Sequence, residues 1–184
     1  MIYQLKVTLS GSKPPIWRRI LVPDCIHLGE LHDIIQITMG WQDCHLHQFI
    51  SGRSFYGVPN DEFGAGFGPT MKDETQYQLS KCLKKEKDSL QYEYDFGDGW
   101  HHKIVLEKKL PDDDSMPLLS CVKGKRACPP EDCGGVGGYQ NLLAVLQDPS
   151  DPEYEDWMEW VGDEFDPEFF DLQETNNILS EYYQ

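Results

Sequence analysis

Apolar and polar residues alternate at the start of the chain and then change period. Tyr3, Leu5, Val7 and Leu9 alternate with Gln4, Lys6 and Thr8, which predicts a strand with one buried face. Gly11 to Pro15 reads as a turn. Ile16 to Val22 alternates again, with Ile16, Ile20 and Val22 on one face and Trp17 and Leu21 on the other. The two strands are therefore expected to pair as a hairpin, which Pro23 ends. Leu28, Leu31, Ile35 and Met39 then recur every three to four residues, predicting a helix that stops at Gly40. His45 to Ser51 reads as a strand turned back by Gly52-Arg53-Ser54 toward Phe55-Tyr56.

The middle of the chain is punctuated more heavily. Gly57 to Thr70 is rich in glycine and proline and predicts a long loop. Leu79 to Lys87 reads as a short helix or a lysine-rich connection. Leu90 to Phe96 predicts a strand, Asp98-Gly99 a hairpin turn, and His102, Ile104 and Leu106 the return strand. An acidic loop follows from Pro111 to Pro117. Beyond it, Tyr139, Leu142, Leu143 and Leu146 mark a helix. Asp151-Pro152 is expected to open another through Trp157, Trp160 and Val161, ending at Gly162; Asp166-Pro167 repeats the device, and a last helix covers Glu174 to Leu179. Strands come early and helices late. The expected fold class is α+β: a mainly antiparallel sheet from the N-terminal two thirds with helices packed on it, and a helical C-terminal part, all in one domain over residues 1–184.

Composition agrees with a folded domain, since 39% of the 184 residues are hydrophobic and 12% aromatic. No run approaches the ~18 apolar residues a membrane helix needs. Met1 to Lys6 has no signal-peptide pattern, so a cytoplasmic protein with reduced cysteines is expected. Charge changes the picture more. Residues 1–126 hold all 16 Lys and Arg against 17 Asp and Glu, whereas residues 127–184 hold 15 acids and no Lys or Arg. Such an end repels phosphate and suits a basic protein partner, or it serves only as a set of solvated helix faces.

The charge boundary coincides with the densest motif, Cys128-Pro-Pro-Glu-Asp-Cys-Gly-Gly-Val-Gly-Gly-Tyr139. Further blocks are Trp17-Arg-Arg-Ile20 with Pro23, Leu31-His32, Ile35-Gln36, Gly40-Trp41, His45-Leu-His47 with Phe49, Tyr94-Asp-Phe-Gly-Asp98, Trp160 and Phe169-Phe-Asp171. In order and over nearly the whole chain, these blocks resemble the plasmid pRiA4b ORF-3-like family. The resemblance implies an α+β domain. Labels carried by some members add one functional expectation, an accessory role in the DNA transactions of mobile elements.

Three residue sets carry candidate chemistry. Cys121, Cys128 and Cys133 have six and four residues between them; thiolates are strong zinc ligands, and His45 or His47, on one strand face, could complete a tetrahedral site. The competing reading makes the cysteines small core residues in a loop shaped by proline and glycine. The spacing is not that of a Cys-x-x-Cys redox motif, and Glu131 and Asp132 oppose any lowering of a thiol pKa. The second set is His45, His47, Asp95, Asp98, His101 and His102, ligand types able to hold an ion that activates water. Against it, Asp95 and Asp98 are ordinary turn formers. The third set, Trp17-Arg18-Arg19 with Lys81, Lys84, Lys85 and Lys87, is basic, but alternation sends Arg18 and Arg19 to opposite faces, and a pI near 4.6 argues against nucleic acid. Tyr154, Trp157, Trp160, Phe165, Phe169 and Phe170 are spaced for helix faces and are expected to pack as core, with a partner groove of tryptophan and acids as the alternative. The leading expectation is a non-enzymatic binding or adaptor module with the Cys128 loop as its keystone and zinc as the candidate cofactor. A metal-dependent hydrolase at His45/His47 and Asp95/Asp98 is the alternative.

Overall fold

The computed structural model describes residues 1–59, 70–112, 118–162 and 164–183. β1 (Ile2–Leu9) and β2 (Trp17–Pro23) form the expected antiparallel hairpin, with Leu5 opposite Ile20. α1 (Leu28–Met39) follows and ends at Gly40, whose φ of 100° closes the helix in the left-handed region. β3 (His47–Ser51), β4 (Ser54–Gly57), β5 (Met71–Asp73), the one-turn α2 (Leu79–Cys82), β6 (Ser89–Tyr94), β7 (Trp100–Leu110) and β8 (Ser120–Lys125) come next. The eight strands make one sheet in the order β5-β4-β3-β6-β7-β1-β2-β8, antiparallel except for β4 with β5. α3 (Gly135–Val145), α4 (Tyr154–Val161) and α5 (Leu172–Tyr182) complete the α+β fold. No helix among the described residues is long and apolar enough to cross a membrane.

The sheet is two-faced, as alternation demands. Tyr3, Leu5, Val7, Ile20, Val22, Phe49, Tyr92, Tyr94, Trp100, His102 and Ile104 are buried in one core with Leu28, Leu31, Ile34, Ile35 and Met39 of α1. The other face is polar, and Glu107 accepts from Arg19 at 2.6 and 2.9 Å and from Gln4 at 2.8 Å. Register puts Arg18 opposite Val7, on the core face, and Arg19 opposite Lys6, on the polar one. Arg18 is buried and donates to the carbonyls of Thr38, Trp17 and Lys125, with Phe170 stacked 3.8 Å away. The Thr38 carbonyl belongs to the last turn of α1, where no intrahelical donor is left for it. Arg18 thus ties α1 to β8 and the C-terminal part.

β5 and β8 were not expected, and neither carries a clear alternation. β8 reads Ser-Cys-Val-Lys-Gly-Lys and lies at the sheet edge. Asn176 of α5 covers that edge by accepting from the Cys121 amide and donating to its carbonyl, at 2.8 and 2.9 Å. Asp151-Pro152 and Asp166-Pro167 each form a turn in which the aspartate accepts from the amide two residues on. Only the first is followed directly by a helix; α5 starts later, capped by Asp171. The loops expected at Gly57–Thr70 and Pro111–Pro117 lie partly outside the described residues.

Candidate functional site

Two loops meet at one end of the sheet. The first is the β6–β7 turn. Asp95, with φ of 54°, accepts from the Gly97 amide through Oδ1, and its carbonyl accepts from Gly99. The second is the Cys128 loop, which docks onto that turn through its glycines. Asp98 Oδ2 accepts from the Gly134 amide at 3.0 Å. A Cβ at Gly135 would overlap the Asp98 carbonyl, and one at Gly138 would overlap the Cys133 carbonyl. Gly135 and Gly138 in the glycine run are therefore required by close backbone approach. The run forms the first turn of α3 instead of preceding it.

Docking carries Glu131 and Asp132 to His45, which precedes β3. His45 Nε2 lies 3.2 Å from Asp132 Oδ1, 3.8 Å from Asp95 Oδ2 and 3.9 Å from Glu131 Oε2. Glu131 is held from its other oxygen, which accepts from the Gln42 amide at 2.8 Å and from Tyr94 Oη at 3.1 Å. Burial and the neighbouring Cys44 and Glu131 push the Tyr94 phenol above its ordinary pKa, so it stays a donor. The remaining atoms are orphaned: His45 Nε2 and Glu131 Oε2 are both buried with no hydrogen-bond partner. Buried polar atoms in folded proteins are nearly always paired. Three carboxylates, one left-handed aspartate on each loop (Asp95, and Asp132 with φ of 57°), and an unpartnered imidazole converge here.

Two triplets of ligand atoms at this spot lie within 4.8 Å of one another: Cys44, His45 and Glu131; and His45, Asp95 and Asp132. An ion with bonds of about 2.1 Å sets its ligands roughly 3.0–3.4 Å apart. The separations from His45 are 3.2–3.9 Å, but Glu131 falls in a different triplet from Asp95 and Asp132, so gathering all four around one ion requires the carboxylates to draw together as the ion binds. One imidazole with several carboxylates is a donor set that suits a divalent ion such as borderline zinc or the harder manganese.

The other nominated residues lie elsewhere. His47 turns away from His45 and bonds Glu74 at 2.9 Å, its ring stacked on His32 with centroids 3.5 Å apart and planes 8° from parallel. His32 Nε2 donates to Asp43 at 2.9 Å while its Nδ1 bonds Tyr92 Oη, which also accepts from Gln36. His32, Asp43 and His47 also fall within 4.8 Å of one another. Their geometry opposes a shared ion, because imidazole lone pairs lie in the ring plane. An ion between the stacked rings would sit about 1.7 Å off each plane against a bond of ~2.1 Å. Burial, and then the stacked His47, lowers the His32 pKa, so His32 stays neutral within a network closed on protein groups.

Cys121, Cys128 and Cys133 appear in no such ligand group among the described residues. Burial pushes the Cys121 thiol up to about 11, the Cys133 thiol up to about 12 and the Cys128 thiol well above its ordinary value. Cys121 packs beside Arg18 and bonds weakly to the Lys123 carbonyl, while Cys133 faces the Gly135 carbonyl. Asp98 fixes the loop instead of facing His45. His101 is exposed on the polar face of β7, 3.8 Å from Glu93, and His102 is buried, donating from Nδ1 to the Trp100 carbonyl. In the sequence, Glu131 and Asp132 stand out only as acids that oppose thiol chemistry. The signal for them was their position between Pro-Pro and Gly-Gly, where the backbone is set.

The sequence profile of the plasmid pRiA4b ORF-3-like protein family matches residues 1–174. The uncharacterized protein y4hQ of Sinorhizobium fredii is 37% identical over 162 residues, spanning 88% of this chain and 81% of its own. A crystal structure of a protein of unknown function from Methanosarcina mazei Go1 matches with a TM-score of 0.84 at 39% identity, covering 94% of this chain and 96% of that one. With a profile match over nearly its whole length and a relative this similar, the chain belongs to the plasmid pRiA4b ORF-3-like protein family.

Proposed function

We propose that this protein is a binding module organised by a divalent cation, held by His45, Asp95, Glu131 and Asp132. One observation carries the reading: His45 Nε2 and Glu131 Oε2 are buried, make no hydrogen bond although Asp132 Oδ1 lies 3.2 Å from the nitrogen, and lie 3.9 Å apart. A cation satisfies both atoms at once and offsets the repulsion among three carboxylates. It also bonds the Cys128 loop to the β6–β7 turn, so that loading and loop rigidity rise together. The role first given to the cysteines passes to the two acids between them.

Elemental analysis of purified protein tests this. About one zinc or manganese per chain is expected, retained in Cys133→Ser and lost in Glu131→Gln and His45→Ala. Loss in Cys133→Ser with retention in Glu131→Gln would return the site to the thiols. Protein that takes up no divalent metal under saturating conditions overturns the reading.

A hydrolytic role is supported by one further feature. The Asp132 side chain is 71% exposed, so one side of the ion would face solvent and keep a position for water. Metal-dependent turnover of simple esters or phosphodiesters that disappears in Glu131→Gln would place the protein among hydrolases. The mobile-element DNA role has less support, because Arg18 is buried and Arg19 is paired with Glu107.

A further inference from the structure

α4 has no buried residue, although it carries two tryptophans. Trp157 and Trp160 stand edge to face with centroids 5.4 Å apart, and Trp160 is 48% exposed. With Asp132, Glu153 and Asp156 they line an open groove of about 480 Å³. That size falls among clefts that take a small ligand or one long side chain, typically ~300–1,000 Å³. Trp157 is oriented from below, since its indole N–H donates to Glu153 Oε2 at 3.3 Å and Asn141 donates to the same oxygen at 3.4 Å. The groove thus offers aromatic surface and negative charge together. The C-terminal third supplies no cation to fill it, because no Lys or Arg follows Arg126.

We infer that this groove receives a lysine side chain from a basic segment of a partner protein. Charge complementarity selects the class. The Glu153 and Asp156 carboxylates beside two indole rings suit an ammonium group, which gains both an ion pair and the attraction of the ring faces. An apolar or acidic segment would leave the carboxylates desolvated and unpaired. The long methylene stem of lysine covers the indole surface that α4 leaves uncovered. The inference shares only Asp132 with the cation centre proposed above: Asp132 forms one groove wall while its carboxylate faces His45.

The test uses the full chain and a short fluorescent peptide of alternating lysine and glycine. Saturable binding is expected, weakened at least tenfold in Trp160→Ala and in Asp156→Asn, and weakened by salt as an ion pair requires. The same peptide with every lysine acetylated is expected not to bind. Three results would each overturn the inference: equal binding of the acetylated peptide, unchanged affinity in both variants, or no binding at millimolar peptide. If lysine amide alone binds as tightly as the peptide, the groove serves a free amine and docking to a protein is wrong. Circular dichroism of both variants guards against misfolding, and neither residue touches the core. Titration with and without a chelator separates the two proposals. Chelator-insensitive peptide binding leaves the groove standing without the cation centre, while metal-loaded protein that ignores the peptide removes only the groove.

Discussion

Two histidine clusters, one packed on Tyr92 and the other on Tyr94 of β6, use the same residue types to opposite ends. In the stack of His32 and His47, every ring nitrogen with a named partner spends it inside the protein: Asp43, Tyr92 and Glu74 each take one. At His45 the neighbours are also acids, yet Nε2 and the facing Glu131 oxygen are left without partners. A buried polar network that closes on itself rigidifies a core, whereas one that stops short leaves a place for a ligand. The difference follows from origin. The closed cluster is assembled by α1, β3, β6 and the turn before α2, while the open one needs a loop from far along the chain to dock.

The largest effect expected is on that docking. Gly135→Ala drives a Cβ into the Asp98 carbonyl of the β6–β7 turn and should cost roughly 3 kcal/mol or more, or prevent folding, by urea denaturation. Gly137→Ala is the control, because nothing lies within 4 Å of its Cβ and alanine favours the helix by up to about 1 kcal/mol. If the two variants are equally stable, the loop is not held by close approach.

Acid acts next, and on the buried imidazoles. His102 receives a bond from Trp41 Nε1 and donates to the Trp100 carbonyl, so it is neutral in the fold, and burial lowers its pKa to about 4. The unfolded chain binds the proton first, near pH 6.5. The stability of the neutral form is therefore full above that pH and falls as pH drops toward 4, by about 3 kcal/mol in all. His32, also lowered by burial, adds to the loss in the same direction. Denaturant midpoints between pH 7 and 4 should show this slope, and His102→Gln should flatten it.

The last two substitutions set the clusters directly against each other. Glu74→Gln in the closed one removes a nearly buried carboxylate, with side chains only 5% exposed at Glu74 and 8% at His47. It should cost about 1–3 kcal/mol and leave metal content unchanged. Glu131→Gln in the open one should change metal-free stability by less than about 1 kcal/mol, since it relieves repulsion among the acids, while weakening metal uptake at least tenfold. Metal content, thermal midpoints and urea midpoints on the two variants decide this. If Glu131→Gln is the more destabilising in metal-free protein, the open cluster is a structural polar network and not a metal centre.

Much of the fold could be read from period alone. The β1–β2 hairpin, α1 with its Gly40 cap and the β6–β7 pair appear where alternation and glycine place them. β8 was missed because an edge strand needs little alternation, and its glycine is explained by Phe170 and Arg18 pressed against it. Of the C-terminal aromatics expected to pack as core, Trp157, Phe165 and Phe170 lie against it while Trp160 and Phe169 are exposed, because helical spacing describes a face without saying how much of it is covered. His45 and His47 were grouped by strand parity; the chain enters β3 only at His47, so parity does not extend to His45.

By itself, then, the sequence determined six of the eight strands, the main helix, the acidic C-terminal third and the glycine- and proline-shaped Cys128–Tyr139 loop, because those follow from spacing, charge and backbone freedom between near neighbours. Tertiary structure decided which residues of that loop matter. Nothing in local spacing places Glu131 and Asp132 beside a histidine more than eighty positions earlier; the glycines do so by letting one backbone lie against another. The same docking buried the thiols and left the two acids between them facing His45.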